Sequence, residues 1–375
     1  MKASISLKAA AAAAASLVLT SLPASALGPA YTVTYLGALP GASDSFASGI
    51  SESGDVAGSS GPHAFLYHQG QLLDLGTLGG FFSSATALND SGRVVGFSQP
   101  SGNFVPPHAF LYVDGQMTDL GTLGGPFSVA NGISQSGKVV VGDSATSSGN
   151  VHAFQYRGGP LQDLGTLGGD FSSASGVNDS GQVVGASTLE TGFYALPHAY
   201  LFSGSQMTDI NPGIPGGTFS FASAINQNGR VTVYEFSAQG APLPFTYERG
   251  RFTPINLPSG DGYAIPFAIN DSGTVVGFSG DVYGPRRIFL SRGSITLDLN
   301  TVLPDLCFCR LGINDNGQIT GSVSNKFPLP FAPHAVILTP TGGGGAQNLP
   351  AAGPTVARNS SQMTWEKAAQ LAGLK

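Results

Sequence analysis

The seven residues DLGTLGG occur three times, at 74–80, 119–125 and 163–169, as the best-kept part of a longer unit that repeats along most of the chain. A second mark of the unit is the turn N-D-S-G at 89–92, 178–181 and 270–273, with variants at 51–54, 134–137, 226–229 and 314–317. These seven copies start 38, 45, 44, 48, 44 and 44 residues apart. A period of this length with several short strands per unit predicts β-propeller blades, because helical solenoids would show 3.6-residue periodicity, and none is visible before the C-terminal tail.

The second copy shows four strands. Residues 85–88 are a short strand of small residues, 89–92 a tight turn with Gly where positive φ is wanted, and 93–98 (RVVGFS) the β-branched return. HAFLY at 108–112 and QMTDLGT at 116–122 then form a second hairpin. Two residues before each turn the side chain is always Gly or Ala, at Gly49, Ala87, Gly132, Gly176, Ala224, Ala268 and Gly312, and the next is Ile, Leu or Val. Small residues belong where blades crowd at a central axis, so this strand is predicted innermost and DLGTL outermost.

The chain ends complement each other. YTVTYLG at 31–37 reads as an outermost strand without its blade, whereas the seventh copy stops after HAVIL at 334–338 without one. Pairing them closes a ring and removes the exposed edges that invite aggregation. The expectation is all-β: a seven-bladed β-propeller of four-stranded antiparallel blades over residues 31–338, with the last blade closed by the N-terminal strand.

Residues 1–26 are read separately. Lys2 and Lys8, an apolar run over 9–22 and Ala24-Ser25-Ala26 form a secretory signal peptide pattern, and the run is shorter than the roughly 20 residues of a spanning helix. Cleavage near Ala26 predicts a secreted or periplasmic protein with no membrane span in the mature chain. Residues 339–375 read as a Gly/Pro-rich flexible tail ending in a short helix capped by Thr364.

Composition narrows the partners. Charged residues are 10% of the chain, against about 25% in an ordinary domain, and Gly numbers 54 and Pro 25, which suits turns and strands. The formal charge of −6 becomes −8 once Lys2 and Lys8 are removed, and no basic run occurs, so nucleic acid is not an expected partner. Cys307 and Cys309 are the two cysteines, too few for a disulfide scaffold; a bond between residues two apart is strained, and buried thiols are the plainer reading. No cofactor is expected, and the chain is expected to be monomeric.

The units H-A-F-x-Y, D-L-G-T-L-G-G and N-D-S-G-x-V-V-G, around His63, His108 and His152, resemble the bacterial extracellular HAF repeat. The resemblance covers nearly the whole chain after residue 26 and is strongest in the first four copies. It implies an exported propeller-like protein and carries no defined activity, substrate or catalytic residue.

His63, His108, His152 and His198 each stand 11 residues before Asp74, Asp119, Asp163 and Asp209. A ring of metal sites would use such residues, but the sixth copy has Arg287 before Asp298 and the fifth has Leu243 and Pro254. Arg bonds a carboxylate and ligates no metal, so the pairs read as structural hydrogen bonds, with no metal expected. GTLGG lacks the Lys-Ser or Lys-Thr of a phosphate loop and reads as a blade-to-blade turn. The N-D-S-G turns fall short of a calcium loop. Asn89, Asn178, Asn270 and Asn359 fit the N-glycosylation pattern, although three lie in those turns and the export signal looks bacterial.

The copies differ most between the second and third strands, at 99–107, 143–151, 188–197, 238–242, 280–286 and 324–333. Antiparallel geometry puts these links and the TLGG links on one face and both tight turns on the other. They carry the ligand-binding candidates Phe104, Phe193, Tyr194, Tyr283, Arg286, Phe327 and Phe331, because aromatics on loops of a rigid scaffold suit sugar or peptide binding. The plainer reading is that these rings plug the channel mouth. Two functions remain: a non-catalytic binding or surface-interaction module for an extracellular glycan or protein, and a secreted hydrolase or lyase at the channel mouth. The latter would need acids or bases that break the repeat, such as Glu190, Glu235, Asp281 or Arg286.

Overall fold

The structure is a computed structural model and describes residues 16–17, 31–102, 104–192, 195–281, 286–301, 306–324 and 332–341; for 16–17, 301, 306–309 and 324 only the backbone is described. It is a seven-bladed β-propeller of antiparallel sheets. Blade 2 shows the pattern: Gly79–Leu88 innermost, then Val94–Pro100, His108–Val113 and Gln116–Asp119 outermost. Blade 7 is assembled from both ends of the chain, with Leu306–Ile313, Ile319–Ser324 and Pro333–Pro340 completed by Tyr31–Gly37, on whose outer edge Ser16–Leu17 pairs. Among the described residues no helix is long and apolar enough to cross a membrane.

Strand bounds depart from the sequence expectation in three places. The second inner strand runs over ten residues instead of four, because the chain joins the sheet as soon as it leaves the Gly-Gly link. The outermost strand ends at Asp119 because the Asp119 carboxylate takes the Gly121 N–H at 2.7 Å, turning the chain before it can pair further. The variable links start later than expected: Asp143, paired with Val129 and Ala153, belongs with the next three residues to the strand Val140–Thr146, and Gln99, Pro100, Thr188 and Gly280 likewise end strands.

Every inner strand carries a register shift just before its small residue, as between Ala85 and Ala87. The bulge turns a carbonyl toward the neighbouring strand, and this explains the glycine of VVG: a Cβ on Gly96 would sit 2.0 Å from the Ser84 oxygen. The small residues themselves abut the next blade. A Cβ on Gly132 would lie 3.3 Å from Gly176 Cα, and one on Gly312 3.4 Å from Gly49 Cα, the latter across the ring closure.

Buried serines join successive blades. Ser128 Oγ accepts the Ala109 N–H of the preceding HAF strand at 2.8 Å and donates to the Gly121 carbonyl at 2.5 Å. Ser83 and Ser172 repeat both bonds, and Ser45 makes the same two, to Ala335 and Gly37, where blade 7 meets blade 1. Between these joints lie the apolar cores, one example packing Val94, Phe110 and Tyr112 with Leu66 and Leu75 of the blade before. The described structure ends at Thr341, so the cleavage motif at 24–26, the tail helix and Asn359 lie outside it; Cys307 and Cys309 are described by backbone alone.

Candidate functional site

The two ends of the ring differ in kind. At the tight-turn end, the second turn residue of one blade gives its N–H to a side chain of the next: Glu52 to Asp90, Asp90 to Gln135, Asp179 to Gln227, Gln227 to Asp271, Asp271 to Asp315 and Asp315 back to Glu52. Blade 3 completes the circle with Ser136 N–H on Asp179 at 2.7 Å. Buried turn asparagines add a second tie, as where Asn270 Nδ2 donates to the Asn314 carbonyl at 3.0 Å. Burial, followed by neighbouring carboxylates, pushes Glu52 and Asp271 above the usual carboxylate range, against the N–H bonds they accept. Asn89, Asn178 and Asn270 are buried with their amides bonded, so these three glycosylation patterns are closed to a glycosyl group in the folded chain.

The HAF strands carry the His–Asp pairs on their outer side. Nδ1 of His63, His108, His152 and His198 lies 2.8–2.9 Å from Oδ2 of Asp74, Asp119, Asp163 and Asp209. Each carboxylate also accepts the N–H two residues on, so one Asp ends the outermost strand and orients the imidazole. Arg287 reaches Asp298 at 3.8 Å and Asp261 at 3.7 Å. Among the described residues no group of three or more His, Cys, Asp or Glu is arranged to hold a metal.

The inner strands enclose a central channel of about 600 Å³. From the turn end inward its wall is layered: Ile50, Leu88, Ile133, Val177, Ile225 and Ile313, then the Gly/Ala positions, then bulge residues such as Ser48, Thr86 and Asn131. Blades 5 and 6 add Phe221, Tyr234 and Phe267. The Phe221 and Tyr234 rings stack at 5.4 Å, and next along the same hairpin, toward the link end, Phe219 and Phe236 stack at 4.3 Å. All four are half-buried, forming an aromatic stripe from the rim into the channel. Sequence reasoning looked for aromatics on loops and missed these strand residues. The signal was there: within VVGxS the fourth position alone varies freely, as Phe97, Asp143, Ala186 and Phe278, with Tyr234 in the divergent fifth copy.

Among the described residues that line the channel, Asp143 and Arg310 alone are charged. Asp143 accepts the Ala174 N–H at 3.0 Å and Asn131 Nδ2 at 3.1 Å; burial raises its pKa, opposed by these bonds, that of Ser173 and the Arg310 charge. Burial pulls the Arg310 guanidinium below its ordinary value, with Asp143 opposing. No ion pair joins the two.

The link end is where the candidate residues fall. Phe104 is 97% exposed with φ of 60°, and Phe81, at the link end of the inner strand Gly79–Leu88 of the same blade, is 72% exposed. Arg286 is exposed and lies over the Phe278 ring at 5.6 Å. Phe193, Tyr194, Tyr283, Phe327 and Phe331 lie outside the described residues. Glu190 and Asp281 are exposed, whereas Glu235 is 1% exposed inside blade 5. Glu235 replaces the serine of VVGxS: its Oε2 accepts the Ile214 N–H at 3.0 Å as Ser98 Oγ accepts that of Leu78 at 2.9 Å. Its Oε1 has no hydrogen-bond partner, and burial raises its pKa against the Ile214 bond and the His198 charge.

No family model matches the chain, and no curated protein matches it in sequence. Solved structures share its fold. It is similar to a structure from work on two prolyl endopeptidases, at 11% identity and TM-score 0.52, over 78% of this chain and 50% of that one. TolB from Acinetobacter baumannii aligns at 10% identity and TM-score 0.44 over 76% of each chain. The β-propeller domain of the trilobed protease from Pyrococcus furiosus, described as having an open velcro topology, aligns at 9% identity and TM-score 0.44 over 80% of this chain and 83% of that one.

Proposed function

We propose that this chain is an exported, non-catalytic binding propeller of the HAF-repeat type, processed near Ala26, which takes an extracellular glycan at its link end. The observation that carries the reading is the aromatic stripe Phe219, Phe221, Tyr234 and Phe236, which opens half-buried onto the end where Phe81 and Phe104 stand exposed. Aromatic faces stack on the C–H faces of sugar rings, and a rigid scaffold holds them at no cost in loop ordering. The turn end offers no such surface, since its backbone groups are spent on the ring of inter-blade bonds.

The enzymatic alternative loses its most buried acid. Glu235 is packed against the glycine link, where a Cβ on Gly217 would meet its Oε1 at 2.0 Å, and it serves as a blade joint. Glu190 and Asp281 remain as exposed link residues. The test is a glycan array and polysaccharide pull-down with the purified chain beside Tyr234→Ala/Phe236→Ala, with product analysis of bound sugar. Binding that is lost in the double variant, with the sugar intact, is the expected outcome. Shortened sugar would replace the reading with a hydrolase or lyase, and binding to no glycan would remove sugar as the ligand.

A further inference from the structure

The inner strand of blade 7 departs from the other six in the length of its bulge. Between the position paired with the residue after the VVG glycine and the small residue, the other strands place two residues against one, as at Ala85 and Thr86. In blade 7, four residues stand between Cys307, paired with Ser322, and Gly312, paired with Thr320. Arg310 is in this longer bulge and is thereby delivered into a channel whose described lining is otherwise uncharged except for Asp143.

Arg310 makes no hydrogen bond or ion pair with the described residues. A guanidinium has five N–H donors in a planar fork, and the Arg310 side chain, exposed on the channel wall, is complementary to an anion. Asp143 acts on it as a counter-charge without touching it. It stands in blade 3, across the ring from blade 7, and its carboxylate is already engaged by Asn131 and Ala174 at the joint with blade 4. Phe267 of the neighbouring blade, and Phe221 and Tyr234 of the one before, line the same channel.

An approach from the turn end meets the apolar layer of Ile50, Leu88, Ile133, Val177, Ile225 and Ile313 before Arg310. The link end leads to Arg310 along the aromatic stripe.

We infer that the channel is an anion subsite in which Arg310 grips the carboxylate of an acidic sugar whose ring lies against the Phe221, Tyr234 and Phe267 wall. The inference rests on the glycan reading above and adds the class of sugar, a uronic acid.

The experiment is titration calorimetry of the whole chain with an oligogalacturonate and with its carboxyl-reduced, neutral counterpart, for wild type, Arg310→Gln and Arg310→Lys, each variant first checked by thermal melting. The wild type is expected to prefer the acidic probe by about tenfold, the worth of one charge-assisted bidentate contact. Arg310→Gln should bind both probes as wild type binds the neutral one, and Arg310→Lys should recover part of the preference. Equal binding of both probes by wild type, or a preference that survives Arg310→Gln, overturns the anion subsite and leaves the glycan reading standing. If neither probe binds, the uronic acid assignment falls. Benzoate, an aromatic carboxylate without sugar, then decides the subsite alone: thermal protection of wild type and not of Arg310→Gln supports it, and no difference overturns it.

Discussion

Single positions that leave the repeat leave a polar atom to be accounted for. In blade 7 the Asp of D-L-G is Tyr35, since Val336 pairs with Tyr35 as Phe65 pairs with Asp74. His334 therefore lacks its carboxylate, and its Nδ1 is buried without a hydrogen-bond partner. Glu235 is the opposite case, a larger and ionisable group in a serine's place. Its pKa is raised in the fold, so its neutral form is favoured there. The cost of the carboxylate is absent below the ordinary Glu range and grows as pH rises through the folded value. Glu235→Gln is expected to raise the stability at neutral pH by on the order of 1 kcal/mol, the scale of a buried unpaired polar group. Urea midpoints should show the gain shrinking toward zero in acid. A variant less stable than wild type at neutral pH would mean that the carboxylate is held by bonds stronger than that of Ile214.

At the level of strands and joints, most of the serine bonds were hidden in the sequence and most of the ring was not. Strand number, order and closure were legible because DLGTLGG and N-D-S-G mark each blade twice and because Tyr31–Gly37 has no partner within its own copy. Serine, by contrast, is frequent throughout, and nothing local separates Ser83 or Ser128, bonded across a blade boundary, from a turn serine. The channel was half legible: the Gly/Ala rule located its wall, but alternation along a strand does not say which face opens onto it, so nothing singled out Tyr234 and Phe221. Asp143 was placed on a loop although VVGDS at 140–144 matches VVGFS at 94–98, because aspartate is a turn former and seldom a strand residue. The joints give a direct prediction. Ser128→Ala strands the Ala109 N–H and the Gly121 carbonyl and should cost about 1–3 kcal/mol in urea unfolding. Ser45→Ala removes the same two bonds at the closure and should cost as much, with faster amide exchange confined first to Tyr31–Gly37. Equal exchange across all blades would show that the closure is no weaker than the other joints.

For the whole molecule, charge and closure act on all seven blades together. The carboxylates of the turn ring include Glu52 and Asp271, both raised above their ordinary values, so their charged forms oppose the fold and the opposition is relieved as pH falls. Glu52→Gln/Asp271→Asn keeps oxygen acceptors for the Asp315 and Gln227 N–H groups. It is expected to raise the melting temperature by a few degrees at neutral pH and to flatten its rise on acidification. An unchanged pH profile would remove the ring as its source. Deleting residues 31–37 uncovers the whole edge of Pro333–Pro340, and size-exclusion chromatography should then show larger species than the intact chain gives. The same closure has a consequence in time. Six blades are encoded in order and each can pair as soon as its fourth strand is made, but the seventh needs the first strand and one of the last. A ribosome must therefore translate past residue 340 before the circle can shut, and until then Tyr31–Gly37 waits without its blade 7 neighbour. Anything that handles the nascent chain meets an open crescent, not the finished ring.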